Sequence, residues 1–298
     1  MKILVTGASG FIGSHLIRHL ATLGHKVVAH SKSRAIIPSD PGVCLVKGDL
    51  TLPASIEGLP ASVDVIVHLA QAGSFKEFPD QAKEIFSINA SATLALLEYA
   101  RKVGARRFVF TSTGNVYGSQ PIPISEGGYL VPSDFYGASK LAAEALIGQY
   151  SRFFDVVILR LFAVYGFGQQ PTRLIPRLVE AVRAGRPVMV NPNGGMKMNP
   201  TYIDDVVEVI ARMLERHNST CLNIGGPEAL SVKEMSEIIG VTLGMVPSFR
   251  IQEGIPAPSL VPDITQMRTL FPPLPRITFR EGIKRLAGPI PAVLMGGS

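Results

Sequence analysis

The chain has 298 residues, 46% of them hydrophobic and 17% charged, with a formal charge of +6. That length buries a sizeable core in one large or two smaller domains, and the composition excludes a disordered chain. Basic residues are scattered, without a stripe or interleaved aromatics, which argues against a nucleic-acid partner; no apolar run approaches the ~20 residues of a membrane helix, which argues against a membrane partner.

Residues 2–6 are a short apolar run ending in a glycine turn, which reads as a buried strand rather than a signal peptide. Gly7-Ala8-Ser9-Gly10-Phe11-Ile12-Gly13 follows directly and opens a helical pattern over 11–23. Glycine suits positions where the backbone turns sharply, approaches a pyrophosphate, or packs helix closely on strand. The N–H groups of the first helical turn then face the phosphates. His15, His19 and His25 read as surface groups.

The next strand, 26–30, runs into His30-Ser31-Lys32-Ser33-Arg34 with no carboxylate to accept from a ribose. Ser31, Lys32 and Arg34 stand where a 2′-phosphate would sit, which favours NADP over NAD while leaving NAD possible. A third strand at 43–46 leads to Gly48-Asp49-Leu50, with Asp49 placed for an adenine contact. Strands are expected at 63–69, 107–111 and 156–161, and helices at 81–103 and 139–153. His68, at the end of one strand, reads as structural. Tyr136 and Lys140 are four residues apart, hence on one helical face, and the ammonium is expected to draw the phenol pKa down.

Strand–helix alternation of this kind predicts an α/β fold, a Rossmann-type doubly wound parallel sheet with its ligand crevice at the strand C-terminal ends. Beyond 166 the alternation weakens. Helices at 173–184 and 204–216, an irregular stretch at 188–202, a strand at 221–224 and short helical patterns at 265–270 and 280–286 suggest a smaller α/β C-terminal substrate domain. The expected division is 1–165 plus 204–225 for the dinucleotide and 166–203 plus 226–298 for the substrate. Asp204 and Asp205 look like paired acids. Cys44 and Cys221 have neither metal-ligand spacing nor a disulfide framework, and read as buried thiols of a cytoplasmic protein. No grouping of His, Cys, Asp and Glu has metal spacing, so no metal is expected.

Taken in order, residues 6–13, 48–50, 68–70, Asn89, 111–113, 116–118, 136–140, 160–166, 202–205 and 223–225 resemble the extended short-chain dehydrogenase/reductase family, its NAD-dependent epimerase/dehydratase group. The resemblance covers nearly the whole chain. It implies that Thr113 hydrogen-bonds the reacting oxygen, Tyr136 is the acid/base, and Lys140 also holds the nicotinamide ribose. It further implies that Gly7, Gly10, Phe11, Ile12 and Gly13 cradle the pyrophosphate, and that Leu69, Ala70, Gln71 and Asn89 line the rest of the cofactor path beside Asp49 and Leu50. The resemblance also implies that Asp204 and Asp205 cap a helix and bridge the two parts. Homodimers pairing the helices at 81–103 and 139–153 are common in such proteins.

Three departures from the family pattern stand out. Gly114 and Asn115 replace the acidic pair that follows Thr113 in nucleotide-sugar dehydratases, which argues against 4,6-dehydration. Ala163 replaces a usual asparagine and Met198 lies near a usual arginine, both diphosphate contacts. The arginine expected within 252–258 is absent, with Lys197, Arg173 or Arg177 as possible substitutes. The expected function is an NAD(P)-dependent epimerase or ketoreductase acting on a secondary alcohol or ketone of a small molecule, a sugar or sugar nucleotide. The alternative is a non-catalytic NADP-sensing regulatory protein on the same fold, against which stands the joint presence of Thr113, Tyr136 and Lys140.

Overall fold

The computed structural model describes residues 1–33, 41–73, 77–254 and 259–288. Arg34 lies outside them, as do residues 255–258 of the segment where an arginine was expected. Lys2–Thr6 (β1), Phe11–Thr22 (α1), Lys26–Ser31 (β2), Val43–Lys47 (β3), Pro53–Glu57 (α2) and Val65–His68 (β4) open the chain. Ala82–Phe86 (α3) and Ala92–Lys102 (α4) follow, joined by a wider π-type turn over Ser87–Ser91. The single helix expected over 81–103 is thus interrupted where Asn89 turns inward.

Arg107–Thr113 (β5), Phe135–Gln149 (α5) and Asp155–Leu161 (β6) complete the alternation, and Thr220–Ile224 returns to the same sheet after several intervening elements. Strand order is that late strand, β6, β5, β4, β1, β2, β3, with every pairing parallel. This is the doubly wound Rossmann-type sheet expected from the alternation.

Successive residues of a strand point to opposite faces, and the core divides accordingly. Ile3, Val5, Val27, Ala29, Val65 and Val67 pack with Leu16, Ile17 and Leu20 of α1. Their neighbours Leu4, Val28 and Ile66 pack with Leu96 and Leu97 of α4 and with Ala143 and Ile147 of α5. Both faces of the sheet are therefore covered.

The remaining elements in chain order are Val164–Tyr165 (β7), Leu174–Arg183 (α6), Val188–Val190 (β8), Lys197–Met198 (β9), Thr201–Tyr202 (β10), Ile203–Met213 (α7), the returning strand (β11), Leu230–Ser231 (β12), Val232–Leu243 (α8), Phe249–Ile251 (β13), Thr265–Leu270 (α9) and Phe279–Ala287 (α10). Three two-stranded pairings, β7 with β10, β8 with β13 and β9 with β12, organise this part. One hydrophobic cluster runs from Val157 in β6 through Tyr165 and Val179 to Met235 in α8 and Phe279 in α10.

Helix α8 was not anticipated, although its start carries a readable signal. The Ser231 hydroxyl accepts from the Glu234 N–H while the Glu234 carboxylate accepts from the Ser231 N–H, a reciprocal cap. Asp204 and Asp205 sit inside the first turn of α7, two and three residues past its cap Tyr202, so neither caps the helix. Buried Asp205 accepts the N–H groups of Arg276 and Ile277, and Asp204 pairs with Arg285 at 2.8 Å. Both acids therefore tie α7 to the C-terminal segment.

Two expectations fail on exposure. Cys44, on edge strand β3, is an exposed free thiol, and Cys221 is only half-buried. His15 and His19 are half-buried, the first bonded to the Phe167 carbonyl at 2.9 Å and the second 3.2 Å from Glu208. No helix among the described residues is long and apolar enough to cross a membrane, and no metal-holding group of His, Cys, Asp and Glu occurs among them.

Candidate active site

The turn after β1 is fixed by close backbone packing. Gly7 has φ +67°, and a Cβ there would lie 2.7 Å from the Ala70 nitrogen, so the exits of β1 and β4 touch. A Cβ on Gly13 would come within 2.2 Å of the Gly7 carbonyl oxygen. Only glycine lets α1 start this tightly, with its first N–H groups open toward the strand ends.

A cavity of about 460 Å³ lies over these strand ends. Of the residues expected around a cofactor, Gly7, Gly10, Ser31, Lys32, Asp49, Leu50, Leu69, Ala70 and Gln71 line it. Phe11, Ile12 and Gly13 form the helix start behind its glycine rim. Ser9, His30, Ser33, Gly48, Thr51 and Ile88 also border the cavity and were not among the expected site residues. Ser9 stood inside the glycine motif, and its hydroxyl bonds Ser31 at 2.6 Å. Ile88 is brought in by the π-type turn, for which the sequence carries no signal.

In the lining of this cavity Lys32 and Asp49 form an ion pair of 2.8 Å. The Lys32 ammonium holds the Asp49 carboxyl down to about 2. Asn89 does not face the cavity: it is fully buried, its oxygen accepting from the Ala72 N–H and its NH₂ donating to Ser139. It braces the β4–α3 loop against α5.

His68 is likewise structural. Thr93 donates to the Asn89 carbonyl, so His68 Nε2–H donates to Thr93 and Nδ1 is left to accept from Thr6. Complete burial holds this imidazole neutral.

Thr113 ends β5, and its hydroxyl accepts the Asn115 N–H at 3.2 Å. Helix α5 starts earlier than expected because Asp134 caps it, accepting from the Gly137 N–H at 2.6 Å while its second oxygen accepts from the Asn115 amide. Tyr136 therefore lies in the first turn of α5 and Lys140 one turn on. The phenol donates to the Gln71 carboxamide oxygen at 2.8 Å, joining this cluster to the cavity.

The phenol is not drawn down as expected. Burial pushes Tyr136 up, the charge of Arg173 and a bond from Thr113 acting in the other direction and Asp134 adding to the rise. Lys140 is pushed down to about 7 by burial, against the pull of Glu144. Its Nζ is fully buried, has no hydrogen-bond partner among the described residues, and stands 4.4 Å over the Phe110 ring.

A sequence model described as the NAD dependent epimerase/dehydratase family matches residues 3–225. The chain belongs to that family. An uncharacterized UDP-glucose epimerase of Bacillus subtilis, YtcB, is 32% identical over 95% of this chain and 96% of its own length. Among solved structures, MoeE5 in complex with UDP-glucuronic acid and NAD superposes with a TM-score of 0.84, 31% identity and coverage of 95% and 96%. The UDP-glucuronic acid 4-epimerase of Bacillus cereus, in complex with UDP-glucuronic acid and NAD, gives 0.83, 27%, and 96% and 97%.

This member of the epimerase/dehydratase family is an NAD-dependent enzyme of the epimerase type, and its own residues suit the cofactor. A glycine rim that admits no Cβ at Gly7 or Gly13 fits a pyrophosphate, and an orphaned buried ammonium at Lys140 fits ribose hydroxyls. Its departures from the family pattern are also visible. Gly114 can carry no side chain, since a Cβ would meet the Phe162 ring at 2.6 Å. Ala163 adopts φ +44°, a left-handed conformation that asparagine tolerates better. Met198 is buried, Arg177 and Lys197 are exposed, and Arg173 is the cation whose charge reaches Tyr136.

Proposed function

We propose that this chain epimerises a sugar carried on a nucleoside diphosphate, at a secondary alcohol. When bound, NAD would accept the carbinol hydrogen as hydride and return it to the opposite face. Tyr136 takes the hydroxyl proton and later gives it back, Thr113 holds the reacting oxygen, and Lys140 anchors the nicotinamide ribose. The observation that carries this reading is the Tyr136 phenol bonded to Gln71, a residue of the cavity lining, with a buried ammonium one helical turn away that has no hydrogen-bond partner among the described residues. Gly114 and Asn115 offer no acid and base beside Thr113, and the Asn115 amide is bonded to Asp134, which supports epimerisation over dehydration. The test is conversion of UDP-glucose to UDP-galactose, or of UDP-glucuronic to UDP-galacturonic acid, by the NAD-loaded protein. Tyr136→Phe is expected to lower the rate by at least ~100-fold; full activity in that variant would remove the proposal.

NAD is the working cofactor in this reading. A preference for NADP, read from the missing carboxylate after β2, requires Lys32 to leave Asp49 for a 2′-phosphate. Titrating both cofactors decides it, tighter NADP binding restoring the preference. The substrate contacts are assigned to residues 166–203 and 226–298, and the dinucleotide contacts to 1–165 and 204–225. Exposed Phe86, Leu94 and Phe153, on or beside α3, α4 and α5, suit a homodimer, which sedimentation would reveal. Two free thiols suit the cytoplasm.

A further inference from the structure

A tyrosine hydroxyl has one proton to donate, and in this structure Tyr136 spends it on the carboxamide oxygen of Gln71. A sugar oxygen that receives this proton from Tyr136 must approach along that same direction, so sugar and carboxamide compete for one position. We propose that Gln71 is the resting partner of the Tyr136 phenol, an internal stand-in for the substrate hydroxyl that the arriving sugar displaces. This inference rests on the proposed function, which makes Tyr136 the proton-transfer group.

The surroundings of Gln71 fit such an exchange. The backbone just beyond it is held, since the Ala72 N–H is bonded to buried Asn89. The Gln71 side chain itself is exposed and borders the cofactor cavity. Release therefore needs a side-chain rotation and no movement of the loop. Its amide can rebond to water, so the exchange costs little. A carboxamide oxygen accepts from the protonated phenol and would repel a phenolate, so its departure favours release of the phenol proton to solvent, leaving the phenolate that takes the sugar proton. Among the described residues the charged and polar groups that act on the phenol are the Thr113 hydroxyl at the end of β5, the Asp134 carboxylate at the start of α5 and Arg173 just before α6.

Gln71→Ala, in the NAD-loaded protein, tests the exchange. Removing one competing hydrogen bond is expected to tighten UDP-glucose binding by about 2- to 10-fold in calorimetry. The Tyr136 titration, followed as phenolate absorbance against a Tyr136→Phe background, is expected to move to lower pH. Gln71→Asn, too short to reach the phenol, should behave as the alanine variant does. An unchanged titration would overturn the inference. Weaker UDP-glucose binding would also overturn it, by making Gln71 a substrate contact. The titration reads the Gln71 contact without turnover, so its failure removes this inference alone, whereas full activity of Tyr136→Phe removes the proposed function and this inference with it.

Discussion

Lys140 should cost the cofactor-free protein stability, and the cost should fade as pH rises. A lysine whose pKa drops from 10.5 to about 7 on folding binds fewer protons folded than unfolded between those values. Stability must then increase with pH across that window. From those two values the destabilisation is about 4 kcal/mol at pH 7 and about 2 kcal/mol at pH 9, as upper figures. Lys140→Met replaces the ammonium by an apolar chain of similar length against Phe110, and should be more stable than the parent by up to those amounts. Urea unfolding of the cofactor-free proteins, followed by far-ultraviolet circular dichroism at pH 7, 8 and 9, measures the gap. A variant no more stable at pH 7, or a gap that does not narrow toward pH 9, would refute the reasoning. The same physics makes NAD binding take up about half a proton at pH 7 as the ribose restores the charge, which calorimetry in two buffers of different ionisation enthalpy detects.

The Arg160–Glu144 pair is buried and multiply bonded, with Arg160 also donating to Tyr117 and the Glu126 carbonyl. Arg160→Met should therefore lower unfolding free energy by roughly 3–5 kcal/mol, and adding Glu144→Met should recover most of it, both read by urea denaturation. Ala163→Asn relieves a left-handed alanine and should raise stability by roughly 0.5–1 kcal/mol in the same assay. Gly13→Ala forces a methyl onto the Gly7 carbonyl and should weaken NAD binding at least ~10-fold, measured by fluorescence titration of NADH.

The sheet was legible because its inner strands are short, mostly apolar runs of the kind that suit strands covered on both faces, while edge strand β3 is largely exposed. The β1–α1 turn was legible because glycine at 7 and 13 answers a steric demand visible in the sequence itself. The break between α3 and α4 was not, since nothing in Ser87–Ser91 marks a widened turn and its cause is the tertiary bonding of Asn89 to Ala72 and Ser139. The charge states at the site were misjudged for a related reason. Four-residue spacing places Tyr136 and Lys140 on one face, but burial, which no spacing reveals, dominates both pKa values. Lys32 likewise looked available for a phosphate, because its partner Asp49 lies 17 positions along the chain and meets it only through the β2–β3 pairing.

The apolar cluster that threads from Val157 through Val179 to Met235 and Phe279 bears on any attempt to re-engineer this enzyme. Swapping the C-terminal portion for that of a relative would slice through side chains that interlock across the seam, not through a linker. A workable chimera must carry both sides of the seam together. Changing specificity loop by loop, with that interlock left whole, is the route the architecture permits.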